Sequence, residues 1–312
     1  MITKLINFPF LKRLIPSIIT RYYRITKKSR KYYQIGNINF FLDFLDPMDR
    51  EIILNKNYEY DQVFFIEKKM KNNSFSHFID VGANSGYYSF YFASKFKDIK
   101  IKSFEPNKDA CKKFLKTLKK NSIKNIELFN FGLSNIEKKV QATSLIRNGY
   151  IQSNLTILES EVNRSALEDM SNLKIKKLNL KDIVVKIGDN ILNIKNELLS
   201  FKIDVEGHEI YTLKGLVKTF KDNKCLILIE IFDWNFYKVN KFFQSINYKQ
   251  IHFFKNTSYY IRPPTCGERP WACRDEGGGR RPRRRAAHPG RRGQRPVDRE
   301  PHPRASGHGG PG

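Results

Sequence analysis

The stretch "FKIDVEGHE", Phe201 to Glu209, gathers Lys202, Asp204, Glu206, His208 and Glu209 where an apolar strand reads as ending. Strand alternation sends Lys202, Asp204 and Glu206 to one side and Ile203 and Val205 to the other. Gly207 then permits a sharp turn into a helix. Such a group can hold a polar molecule and give its proton somewhere to go. Asp204 is the candidate for orienting an acceptor or meeting an amino group, with Lys202 easing the charge cost of the acidic pair. An unperturbed imidazole titrates near ~6.5, so His208 could take a hydroxyl proton at neutral pH, with Glu206 orienting it or serving instead. A solvated strand edge followed by a helix cap would show the same letters.

A second stretch, "FIDVGANSGYYSF", places Asp80, Gly82, Ala83, Asn84 and Gly86 in a strand-to-helix turn. Glycine lets the backbone approach a ligand there, at the carboxyl end of a strand where open α/β sheets bind. The Gly-x-Gly-x-x-Gly fingerprint of dinucleotide sites is absent, because Asn84 and Tyr87 stand at its second and third glycine positions. Asp80 at the loop would oppose a pyrophosphate and welcome a cation such as the ammonium group of S-adenosylmethionine. In "FEPN", nineteen residues after Gly86, Glu105 ends the next strand and Pro106 closes it. A carboxylate there can accept from both ribose hydroxyls, in NAD and S-adenosylmethionine sites alike. Helix capping by Asp80 and a solvated strand end at Glu105 are the structural alternatives.

These residues need elements to hold them. "HFIDVG", "IKSFEPN" and "NIELFNFGLS" read as strands, separated by helices over "YYSFYFASKF" and "KDACKKFLKTLKKN", and "KKVQAT" as a fourth strand. A polar, irregular insertion spans roughly 144–171. Then come the strand "LLSFKIDVEG", helical turns over "HEIYTLKGLVKTF", the strand "KCLILIEIF", a helix over "NFYKVNKFFQSIN" and two closing strands, "YKQIHFF" and "TSYYI". The alternation predicts a mainly parallel sheet with helices on both faces. Residues 36–70 predict a strand or hairpin and one or two helices capping it. Glu230, Asp233 and Trp234 would add a wall, Trp234 stacking on a sugar or packing, and "GYIQSNLTI" could cover an acceptor.

With "DVGANSGYYS", "FEPN", "NFGLSN" and "KIDVEGHEIYTLKG", the chain from about Phe78 to Phe254 resembles the FkbM-type S-adenosylmethionine-dependent methyltransferases. The resemblance implies an α/β, Rossmann-like, seven-stranded, mostly parallel sheet behind an N-terminal helical and strand extension. It implies S-adenosylmethionine held by Asp80, Gly82, Ala83, Asn84, Gly86, Glu105 and Pro106, with Ser134 on the adenine side; the residue reading itself offers Lys202, Asp204, Glu206 and His208 as the catalytic group. It implies methyl transfer to a hydroxyl of a sugar, glycan, glycolipid or natural product, without a metal. Where the family shows Leu-Asp this chain has Leu178 and Asn179, with Asp182 the nearest acid, and Asn135 replaces the usual acid after Ser134.

The 312 residues divide into a basic extension and cap (1–73), a methyltransferase domain (74–261) and a tail (262–312). The tail lacks Lys, Ile, Leu, Phe, Tyr and Asn, and its Arg, Gly and Pro predict disorder or a spurious sequence. It holds thirteen Arg and five acids, so the net charge of +26 leaves about +18 on the body. That charge attracts anionic glycans, phospholipids or nucleic acid; nucleic acid is expected only through the tail. No zinc or disulfide spacing links the four cysteines, which predicts a reducing cytosol. The basic leader lacks the ~20 apolar residues needed to span a bilayer. It predicts an irregular segment packed on the domain or, alternatively, peripheral contact with the inner face of an anionic membrane. A nucleic-acid-binding protein, an RNA methyltransferase and an NAD enzyme are the competing functional readings.

Overall fold

The computed structural model describes residues 9–55, 58–144, 146–147, 150–151, 153–158, 179–254 and 257–261. The tail and most of the insertion, 159–178, lie outside the described residues. The chain begins with helix α1 (Pro9–Thr26), followed by the hairpin β1 (Arg30–Ile35) and β2 (Ile38–Asp43), then α2 (Pro47–Leu54) and α3 (Tyr60–Lys71). From Pro9 to Thr26 the leader is therefore helical, not irregular: α1 runs through Pro16, which costs one backbone hydrogen bond, while no glycine interrupts the turns on either side. Asp46 caps α2, accepting from the Met48 amide at 3.0 Å, with Pro47 in the first turn where no donor is needed.

Next come β3 (His77–Val81), α4 (Tyr87–Lys95), β4 (Lys100–Phe104), α5 (Lys108–Asn121) and β5 (Ile126–Phe129). Strands β6 (Gly132–Ser134), β7 (Lys138–Ser144), β8 (Ile146–Arg147), β9 (Tyr150–Ile151), β10 (Thr156–Ile157) and β11 (Asn179–Ile187) lead to α6 (Gly188–Leu192). The chain continues through β12 (Leu198–Ile203), α7 (Glu209–Lys214), α8 (Val217–Asp222), β13 (Lys224–Glu230), α9 (Asp233–Ser245), β14 (Lys249–Phe254) and β15 (Thr257–Ile261).

Five strands lie parallel in the order β13-β12-β3-β4-β5, and β15 and β14 extend the β13 edge antiparallel. Alternation along the central strands feeds two cores. Phe78 and Ile101 pack on one face with α4, β2 and α3, while Ile79, Val81, Phe201 and Ile203 pack on the other with α7, α8 and α9. Each fully buried Phe contributes on the order of 2 kcal/mol. Helix α4 is apolar nearly all round because it is covered twice, by the sheet beneath and by the hairpin above, where Phe40 meets Phe90 edge-on at 5.5 Å.

The hairpin is also pinned through polar contacts. The Phe41 amide donates to Thr117 Oγ1 at 2.9 Å, and buried Lys113 donates to Asp46 at 3.0 Å and Asp49 at 2.5 Å. The expected single strand over "NIELFNFGLS" is two strands in two sheets. Asn130 breaks it by turning its side-chain amide onto the Glu105 carbonyl at 2.9 Å, and β6 then joins a second sheet, β10-β7-β11-β6. "KKVQAT" is a strand of this second sheet, and β11 was not anticipated.

Candidate active site

Strands β3 and β12 are neighbours whose chain connections run to opposite sides, and the crevice at their carboxyl ends is where such sheets bind ligands. Gly82 sits in it at φ +83°, and a Cβ there would fall 1.8 Å from the Asp204 carbonyl oxygen. The crossing is tied by hydrogen bonds from the Gly82 amide to Phe104 and from the Asp204 amide to Val81, both 2.9 Å. Asn84, also at positive φ, donates its amide to Glu105 Oε2 at 2.8 Å, and its side chain meets Ser153 Oγ at 2.9 Å and Asn154 Oδ1 at 3.0 Å. The glycine turn thereby holds the start of the insertion over the crevice.

Beneath the turn, Lys202, Asp80 and Ser103 stand side by side on three adjacent strands. One Asp80 oxygen accepts from the Ser89 amide at 3.1 Å and the Ser89 hydroxyl at 2.5 Å. The other, Oδ1, is buried with no partner among the described residues. Burial raises the Asp80 pKa, with Lys202 and Ser89 acting against the rise. Lys202 donates to Asp204 Oδ2 at 2.8 Å; burial opposes its charge, but Asp204, Glu59 and Asp80 together raise its pKa.

These groups line one cavity at the strand ends. Among the described residues its wall carries five carboxyl groups, Glu59, Asp80, Glu105, Asp204 and Glu206, against Lys202 as the one lysine or arginine. Glu206 lies at φ +49°, a conformation that costs a non-glycine residue about 1–3 kcal/mol, and accepts from the Asn154 side chain. Burial, then Asp204 and Glu230, push its pKa well above the usual carboxylate range, and burial and Asp204 do the same to Glu230. A wall that cannot keep all its acids ionised is suited to a positive guest.

The methyltransferase FkbM domain family matches residues 80–253, more than half of the chain. The chain belongs to this family. No curated protein matches the chain. Among solved structures it is similar to methyltransferase FkbM from Methylobacillus flagellatus KT, with 14% identity and a TM-score of 0.44 over 70% of this chain and 53% of that one. It thus spans about half of that protein's length. It is similar also to M. jannaschii TYW2 in complex with AdoMet (13% identity, TM-score 0.36, 75% of this chain and 84% of that one). A third is the Pyrococcus abyssi tRNA (uracil-54, C5)-methyltransferase in complex with S-adenosyl-L-homocysteine (10%, 0.38, 75% and 43%).

Within this FkbM domain the structure brings together Asp80, Gly82, Ala83, Asn84, Glu105, Pro106, Lys202, Asp204, Glu206 and His208 on one cavity wall. Two residues expected to hold the cofactor lie elsewhere. Gly86, at φ +89°, starts α4 against Phe114 and supplies the turn. Ser134 is fully buried behind the wall, its hydroxyl 3.0 Å from His208 Nε2. Both Glu105 oxygens already accept backbone amides, from Asn107 at 2.7 Å and Asn84 at 2.8 Å, and burial pushes its pKa up to about 7. His208 differs most from expectation. Burial without a counter-charge lowers it to about 4, so it is neutral at pH 7 but a weak base. Trp234 is half exposed beside Phe232 and is not on this wall, and the Asp233 side chain lies outside the described residues.

Sequence reasoning missed the contribution of the cap. Glu59, at φ +46°, accepts from Tyr88 Oη at 2.6 Å and adds a fifth acid to the wall. It lies outside any recognisable motif, and only the three-dimensional covering of α4 brings it near. Asn154 was legible merely as part of a covering loop.

Proposed function

We propose that the protein is an S-adenosylmethionine-dependent O-methyltransferase acting on a hydroxyl of a sugar, glycan, glycolipid or natural product. The observation that carries the donor is Asp80 Oδ1, a buried carboxylate oxygen with no partner among the described residues, on a cavity wall rich in carboxyl groups. The bare Gly82 backbone provides the close approach that a nucleoside ligand needs. The wall fits a sulfonium and ammonium bearer and opposes a pyrophosphate, which weighs against NAD.

S-adenosylmethionine, when bound, supplies an electrophilic methyl group. Asp80 and Asp204 are the residues to meet its amino group, with Glu105 keeping one lone pair per oxygen for the ribose. Displacement needs the acceptor oxygen held in line and a place for its proton. Glu206 is the proton acceptor in this reading. Once ionised, which the positive charge of the bound donor favours, its raised pKa makes it a stronger base than an ordinary carboxylate, and Asn154 orients it from the covering loop. Lys202 holds Asp204 in place, and His208 shapes the wall as a neutral ring stacked on Tyr211 at 4.9 Å.

Incubation with methyl-labelled S-adenosylmethionine and separate glycan, lipid and RNA fractions tests the acceptor. Label on hydroxyls of a glycan or glycolipid fraction is expected. Label confined to RNA would replace this reading with the RNA methyltransferase one.

A further inference from the structure

We propose that α1 docks the protein on an anionic lipid surface, lying in the headgroup plane. Among the described side chains, the helix is fastened to the body through Tyr23. Tyr23 is buried, its ring 5.5 Å from that of Phe44, and the Lys31 ammonium sits 5.5 Å above it. With 3.6 residues per turn, the side turned away from Tyr23 carries Ile18, Tyr22 and Ile25, spaced four and three apart and therefore in one line. Their exposures are 65%, 59% and 76%.

Charge surrounds this stripe. The first 42 residues contain nine Lys and Arg and no Asp or Glu, and Arg21, Arg24, Lys27 and Lys28 are exposed next to or just after it. The first acid, Asp43, is engaged by Arg30 at 2.8 Å. A lipid interface satisfies both features: anionic headgroups meet the basic side chains, and the acyl boundary takes the isoleucines while the tyrosine hydroxyl stays wet. A polyphosphate such as RNA would answer the charge but leave the apolar stripe in water. Among the described residues no helix is long and apolar enough to cross a membrane, so α1 lies on the surface.

The test is co-sedimentation of the full chain with vesicles of phosphatidylcholine alone or mixed with phosphatidylglycerol, beside an Ile18→Ser/Ile25→Ser variant. The wild type is expected to sediment with the mixed vesicles and far less with the neutral ones. The variant, whose changes are on exposed positions, is expected to keep its thermal unfolding temperature and to partition roughly tenfold more weakly. Undiminished sedimentation of the variant would assign the attraction to the Arg-rich 262–312 segment and overturn the proposal. Equal sedimentation with neutral vesicles, or preferential binding of RNA that the variant weakens, would overturn it too.

Discussion

Glu206 and His208 are two residues apart, yet their surroundings drive them toward opposite chemistry. Burial, reinforced by the neighbouring acids, raises Glu206, whereas His208 has only burial acting on it and falls to about 4. Replacing Glu206 by Gln should lower kcat by about 10²–10⁴ while leaving S-adenosylhomocysteine affinity within a few-fold, as read by steady-state kinetics and calorimetry. His208→Ala should lower kcat by no more than about tenfold, since a weak neutral base is lost. Acids beside glycines at strand ends were legible in the sequence because both residue types are conspicuous there. The weak basicity of His208 was not, because its burial depends on Ser134 and the second sheet, which arrive from elsewhere in the fold.

At the level of elements, the site depends on two backbones touching. Gly82→Ala combines a positive φ with collision against the Asp204 carbonyl, and should cost about 2–4 kcal/mol of unfolding free energy or separate β3 from β12 at their ends. Denaturant melts would measure it. Lys113→Ala would leave Asp46 and Asp49 buried without their cation, and a loss of about 3–5 kcal/mol is expected in the same assay. The strands of the parallel sheet were readable because each is a short apolar run bounded by polar turns. The break at Asn130 and strand β11 were not. A chain that switches sheets keeps its apolar pattern, and what ends β5 is a side-chain hydrogen bond to the Glu105 carbonyl.

Over the whole molecule, the buried acids make stability depend on pH. Burial raises Glu105 and Glu209 to about 7, against an ordinary 4.5, so the folded chain keeps protons that the unfolded chain has released. Their contribution is complete at low pH and is lost as pH rises through about 7. His208 acts oppositely, its depressed pKa favouring the folded state only as pH rises between about 4 and 6.5. Above that range the acids alone remain, so the thermal midpoint of the free protein should fall between about pH 6.5 and 8. A cation among the acids should flatten the fall, S-adenosylmethionine more than its neutral-sulfur product. A rising midpoint over that range would mean the wall is not held protonated.

The most direct measurement is calorimetric titration of the purified protein with S-adenosylmethionine, S-adenosylhomocysteine and NAD, repeated on Asp80→Asn. An acid-walled cavity built for a cationic methyl donor predicts binding of the first two, none of NAD, and an Asp80→Asn loss for both adenosyl ligands, which share the amino group Asp80 meets. Binding of NAD, or no heat with either adenosyl ligand, would contradict it.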